Sequence, residues 1–129
     1  MKSDSYEILI NNDCLLTDIQ RNFSAHYPFL KLEFPDSGKN IKPFSSIKQE
    51  ATLHNKIINL AEPCRINING HRTVSQVSND FHILLGMIVQ LFRKSGTVWN
   101  LISLTNEWTL ESQNTAGEYI CSVMAKGPL

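Results

Sequence analysis

The sequence predicts an α+β fold: two tandem β-α-β units forming one mixed sheet with the helices on one face, closed by a C-terminal hairpin strand and a last helix. Three observations carry this reading. The chain resembles itself at an offset of 58 positions, each copy places a helical apolar pattern after a short alternating one, and proline or glycine stands at corresponding breaks. At that offset residues 8–38 align with 66–96 without a gap. The seven identities are Ile8/Ile66, Ile10/Ile68, Asn11/Asn69, Phe23/Phe81, Phe34/Phe92 and the Ser37-Gly38/Ser95-Gly96 pair. A chain of 129 residues suits one domain. Its expected parts are a first repeat over about 6–38, a linker over 39–63, a second repeat over about 64–96, and a C-terminal strand and helix over 97–124.

Each copy opens on a strand. Tyr6–Ile10 and Arg65–Asn69 alternate as half-buried strands do, and a polar turn follows each, Asn11-Asn12-Asp13 and Asn69-Gly70-His71. A helix comes next. Leu16, Ile19, Phe23 and Tyr27 fall on one helical face, and Val74, Val77, Phe81 and Leu84 or Leu85 repeat the pattern. Thr73-Val74-Ser75-Gln76 has the form of a capping box, in which the hydroxyl accepts from an orphan amide and the Gln reaches back. Pro28 and Gly86 then stop the two helices at corresponding places. Phe29–Phe34 alternates as a second strand. Met87–Phe92 is apolar on both sides apart from Gln90, which predicts the more central position. On this alignment Phe34 and Phe92 both turn toward the helices.

The linker reads as loop in its front half, with Ser46-Ile47-Lys48-Gln49 able to cap a short helix over 47–55. Arg93-Lys94-Ser95-Gly96 forms a tight turn into Thr97–Leu104, which should pair with Met87–Phe92 and place Trp99, Leu101 and Ser103 on one face. A final helix is expected over 109–120, with Thr109 as cap, Glu111 in its first turn and Gly117 weakening its end. Lys126–Leu129 reads as a frayed tail.

Composition narrows the function classes. An apolar fraction of 42% with 19% charged residues is that of a globular chain, and zero net charge argues against a whole-chain footprint for nucleic acid or anionic membrane. The charge is segregated, however. Residues 37–94 hold eight basic against three acidic groups, between acidic segments on either side. No apolar run approaches a membrane span. Met1–Glu7 is polar with no apolar stretch of the secretory type after it, so a cytoplasmic location with Cys14, Cys64 and Cys121 reduced is expected. The Asn22-Phe23-Ser24 sequon is read as chance, since Phe23 belongs to the buried helical face.

No motif points to chemistry. His26, His54, His71, His82 and the cysteines form none of the local metal-ligand spacings. Cys14 lies near a helix start and is read as a small surface or core residue rather than a nucleophile. Ser45-Ser46-Ile47-Lys48 contains an S-x-x-K spacing without its companion motifs, and no glycine-rich phosphate loop occurs. No catalytic residue, metal ligand or cofactor is therefore assigned.

Phe92-Arg93-Lys94-Ser95-Gly96-x-Val98-Trp99 and Trp108-Thr109-Leu110-x-x-Gln113-Asn114 resemble motifs of a family of small bacterial proteins of uncharacterised activity. The likeness covers about the C-terminal third well and the first copy, through Phe29–Phe34, more loosely. It implies the order of elements and a bacterial origin, and it adds no site residues. The expected function is a non-catalytic protein-interaction module of a bacterial cytoplasmic system, binding a protein partner or a second copy of itself. Trp99 and Trp108 are the candidate anchors, with Arg93 and Lys94 at the adjacent turn. Two alternatives stand beside it. One is nucleic-acid binding through the basic middle, where Arg65, Arg72, Arg93, Lys94 and the linker lysines would track phosphates. The other is a ligand-binding protein or enzyme with a pocket between the two repeats.

Overall fold

A computed structural model describes residues 6–11, 14–35 and 62–126. Within them run β1 (Glu7–Ile10), α1 (Leu16–His26), β2 (Leu30–Glu33), β3 (Cys64–Asn67), α2 (Val74–Leu85), β4 (Gln90–Ser95), β5 (Val98–Leu101) and α3 (Leu110–Lys126). The chain is α+β, with the order of elements its pattern predicts. The linker readings at 36–61 lie outside the described residues: the short helix, the Ser45–Lys48 spacing, His54 and the linker lysines. So does the tail from 127.

The strands form two antiparallel sheets where one mixed sheet was expected. One pairs β1 with β3, and the other runs β2-β4-β5, with β4 central. Within each β-α-β segment the two strands do not pair with each other; each takes its counterpart from the other segment. The reason lies in the strands. β1 and β2 alternate strictly between buried and more exposed residues, and β3 buries Ile66 between exposed neighbours. That pattern suits antiparallel sheets with one face on the core rather than a parallel sheet covered on both.

Register adds a second correction. The buried helix positions Phe23 and Phe81 stand 58 apart, but the buried strand positions Leu32 and Leu91 stand 59 apart. The second segment thus has one residue more than the first between helix and strand. The extra residue sits by Gly86, which ends α2 in the left-handed conformation at φ 65° with its N–H on the His82 carbonyl. A one-residue slip moves every strand side chain to the opposite face. Leu30, Leu32 and Phe34 are buried in one segment, and Met87, Val89 and Leu91 in the other. Phe34 packs edge-on against Phe81 with ring centroids 5.9 Å apart, as expected. Phe92, its partner in the sequence alignment, turns away from the core instead and is only half-buried.

The helices are built as their sequences dictate. Thr73 Oγ1 accepts from the Gln76 N–H at 3.0 Å, and Gln76 Oε1 accepts from the Thr73 N–H at 2.9 Å, which completes the capping box. Leu15 N–H donates to the Asp18 carboxylate at the start of α1, and Thr109 Oγ1 accepts from Ser112 N–H before α3. Phe23 and Phe81 are fully buried at corresponding positions of α1 and α2, and each ring contributes about 1.5–3 kcal/mol by leaving water. α1 packs on β1 and β2, α2 on β3, and α3 on β4 and β2. α3 runs on to Lys126, well past the expected end, because Gly117 is a packing residue rather than a stop. A Cβ there would lie 2.8 Å from Phe29 Cβ and 3.1 Å from Arg93 Cγ, so only glycine lets the helix approach the sheet this closely.

Candidate functional site

The three-stranded sheet has two unlike edges. Gln20 Nε2 donates to the Leu32 carbonyl at 2.8 Å and Ser24 Oγ to the Leu30 carbonyl at 2.9 Å, so side chains of α1 cover the edge of β2. At the opposite edge β5 pairs with β4 alone, and no described strand lies beyond it. Val98 and Leu101 on β5 are about half exposed.

Strand alternation fixes which side chains share a face. Lys94 stands opposite Trp99, and Lys31 opposite Phe92, which in turn stands opposite Leu101. These five residues lie on the sheet face turned away from the core. Lys31 Nζ sits 5.0 Å from the Trp99 ring centroid and 5.8 Å from that of Phe92, and Lys94 Nζ sits 5.9 Å from Trp99. Lys31 also pairs with Glu33 at 3.3 Å. Among the described residues, none of the three helices packs on this face.

Arg93 follows the opposite course. As the strand neighbour of Lys94 it must point to the other face, where it meets α3. Its Nη1 donates to Gln113 Oε1 at 2.8 Å, and Gln113 Nε2 donates to the Thr105 carbonyl at 2.6 Å and to Thr105 Oγ1 at 2.8 Å. Gln113 is completely buried, and the guanidinium carbon lies 5.9 Å from the Trp108 ring centroid. Arg93 Nε is buried with no hydrogen-bond partner. The four candidate interaction residues therefore separate into two pairs. Trp99 and Lys94 join Lys31 and Phe92 on the open sheet face, while Arg93 and Trp108 belong to a network that ties the turn before α3 to the sheet. Lys31 and Phe92 were missed as site residues. Arg93 and Lys94, read from the sequence as part of the turn, lie instead in β4, which runs on to Ser95 before Gly96 turns the chain at φ 67°. That places Lys94 opposite Trp99, but nothing local to Lys31 shows that β2 becomes a neighbour.

Arg65 and Arg72, also named for nucleic acid, are engaged internally. Arg65 pairs with Glu7 at 3.4 Å across β1 and β3. Arg72 binds the Asp80 carboxylate and the Asn67 carbonyl. The cysteines are free thiols, each half-buried. Cys14 and Cys121 donate to the carbonyls of Leu9 and Lys94, and burial raises the pKa of Cys64. Among the described residues no group of three or more His, Cys, Asp or Glu side chains is placed to hold a metal ion, and no helix is long and apolar enough to cross a membrane.

A hollow of about 340 Å³ opens where the two β-α-β segments meet the start of α3. Tyr6, His26 and Tyr27 line it from the first segment, Asn69, Gly70 and His71 from the second, and Glu111, Asn114 and Thr115 from α3. Its chain-wide residues are joined by backbone bonds: Ile68 N–H donates to the Tyr6 carbonyl, and Glu111 N–H to the Gly70 carbonyl. Tyr27 is buried, donates its hydroxyl to the Ile68 carbonyl at 2.6 Å, and has its pKa raised by that burial and then by Tyr6 and Glu111 nearby.

The chain matches no protein-family model, no curated protein and no solved structure.

Proposed function

We propose that this chain is a non-catalytic interaction module of the bacterial cytoplasm that binds a partner protein along β5 and the adjoining open sheet face. The observation that carries this is the juxtaposition of Trp99, Phe92 and Leu101 beside a strand edge that no described strand covers, when side chains of α1 cover the other edge of the same sheet. An edge strand presents backbone N–H and C=O groups at alternate residues, which an extended segment of the partner can pair with. Lys94 then selects an acidic side chain on that segment, and Trp99 and Leu101 supply the apolar anchors. A large aromatic beside a rigid hairpin costs little entropy to order, which suits it to this role.

The same face has aromatic rings beside lysines, as sheets that stack single-stranded bases do. One observation favours protein: Arg65, Arg72 and Arg93 are turned to internal partners. The test is affinity capture from a lysate of the source cells with the wild-type chain, Trp99→Ala, Lys94→Glu and Trp108→Ala, each with and without nuclease. A stoichiometric protein lost with Trp99→Ala and Lys94→Glu, retained by Trp108→Ala and indifferent to nuclease, supports the reading. A partner that disappears with nuclease shifts the assignment to nucleic acid. Retention by all three variants places the interface elsewhere.

A further inference from the structure

Three side chains of the hollow between the two segments and α3 turn acceptors or ring faces toward it: Tyr27, Glu111 and Tyr6. Tyr27 spends its one O–H on the Ile68 carbonyl, so only oxygen lone pairs remain to it. His26 Nδ1 lies 3.1 Å from the Asn22 carbonyl, which can only accept, so the ring donates there from Nδ1. Glu111 brings a carboxylate. Its Oε1 lies 3.4 Å, and Tyr27 Oη 3.6 Å, from the point where a Cβ on Gly70 would stand, so both oxygens converge over Gly70. Asn114 Oδ1 accepts from the Phe29 N–H at 2.9 Å, which leaves its N–H groups as donors at the rim. The aromatic rings complete the wall. Tyr6 and His26 have centroids 5.0 Å apart, and Tyr6 and Tyr27 6.3 Å apart, each pair tilted. Ring faces and a carboxylate both attract positive charge.

We infer that this hollow is a binding site for a small organic cation, an alkylammonium or guanidinium group that donates to Glu111 and Tyr27 and lies against the ring of Tyr6. Burial first, then Tyr6 and Glu111 nearby, raise the pKa of Tyr27, so its hydroxyl keeps its proton beside the carboxylate. The side chain of Glu111 is exposed and outside the core, whereas its backbone N–H makes the bond to Gly70, so Glu111→Gln removes charge without removing structure. The site is separate from the open sheet face and stands or falls independently of it.

The experiment is a titration of the ¹⁵N-labelled chain with butylammonium, methylguanidinium and, at matched ionic strength, butyrate, each to roughly 10 mM, enough to saturate a millimolar site. The amide of Gly70 and the side-chain amide of Asn114 are the reporters. Saturable shifts with the two cations and none with butyrate are expected. Glu111→Gln should weaken the cations about tenfold or more, the loss of a charge-assisted hydrogen bond, and Trp99→Ala should leave them unchanged. Linear shifts without saturation, equal binding of butyrate, or undiminished affinity in Glu111→Gln would each overturn the assignment.

Discussion

Replacing Gln113 by Leu tests whether Arg93 is held inside the fold or is free to serve a partner. The glutamine is fully buried and makes three hydrogen bonds, one from the Arg93 guanidinium and two to Thr105. A bond to a charged group contributes about 1.5–3 kcal/mol and each neutral one about 0.5–1.5 kcal/mol. Leucine of similar size returns about 1.5–3 kcal/mol through apolar burial. Arg93, whose Nε already lacks a partner, would then lose its Nη1 acceptor as well. The net expectation is a loss of about 2–3 kcal/mol, read as a lower urea midpoint at unchanged slope. The decisive step is the cycle with Arg93→Met. Removing both partners together should cost less than the two single losses added, with a coupling of about 1.5–3 kcal/mol, because no charge is then left unpaired. A Gln113→Leu chain within about 0.5 kcal/mol of wild type, or an additive cycle, would refute the network and return Arg93 to the surface.

Other predictions follow from the same geometry. Phe34→Ala should cost about 3–5 kcal/mol in urea unfolding and Phe92→Ala well under half of that, since the one-residue slip buries the first ring and not the second; equal losses would argue against the register described. Thr73→Ala should cost about 1 kcal/mol by the same measurement, through loss of the hydroxyl that accepts from Gln76 N–H. Tyr27 has a folded pKa above its unfolded value of about 10, so the unfolded chain gives up this proton first. Stability from this group is complete below pH about 10 and is lost as pH rises through the folded pKa. Tyr27→Phe should lower stability by about 1 kcal/mol at neutral pH and flatten the decline above pH about 10, as read from thermal unfolding across that range.

Elements governed by local chemistry were legible. The capping box at Thr73, the glycine stop at Gly86 and the apolar faces carrying Phe23 and Phe81 are written in short stretches, and the structure forms them there. What was not legible depends on partners far along the chain. The alternation of β1 and β2 shows one buried face but not which strand will lie alongside. The Phe34/Phe92 identity was misleading, because an ungapped alignment has no room for the extra residue that reverses the faces. Arg93 and Lys94 were read as turn residues, and only the extension of β4 to Ser95 sets them on opposite faces. Their different fates needed more, since nothing near them shows that Gly117 brings a helix onto one face. The hollow draws on Tyr6, Gly70 and Glu111, which no sequence window contains together; the Asn69-Gly70-His71 turn was its one local trace.

The exchange of strands between the two segments bears on how the chain is made. While the ribosome has delivered only the first segment, β1 and β2 have no hydrogen-bonding partners, because theirs are β3 and β4, some sixty residues further on. Until Ser95 has emerged, the nascent first half carries an apolar helix face and unpaired strand edges that a second nascent chain could equally well satisfy. Two chains synthesised side by side could thus trade segments, each completing the other, and dilution or slow initiation would favour closure within a single chain.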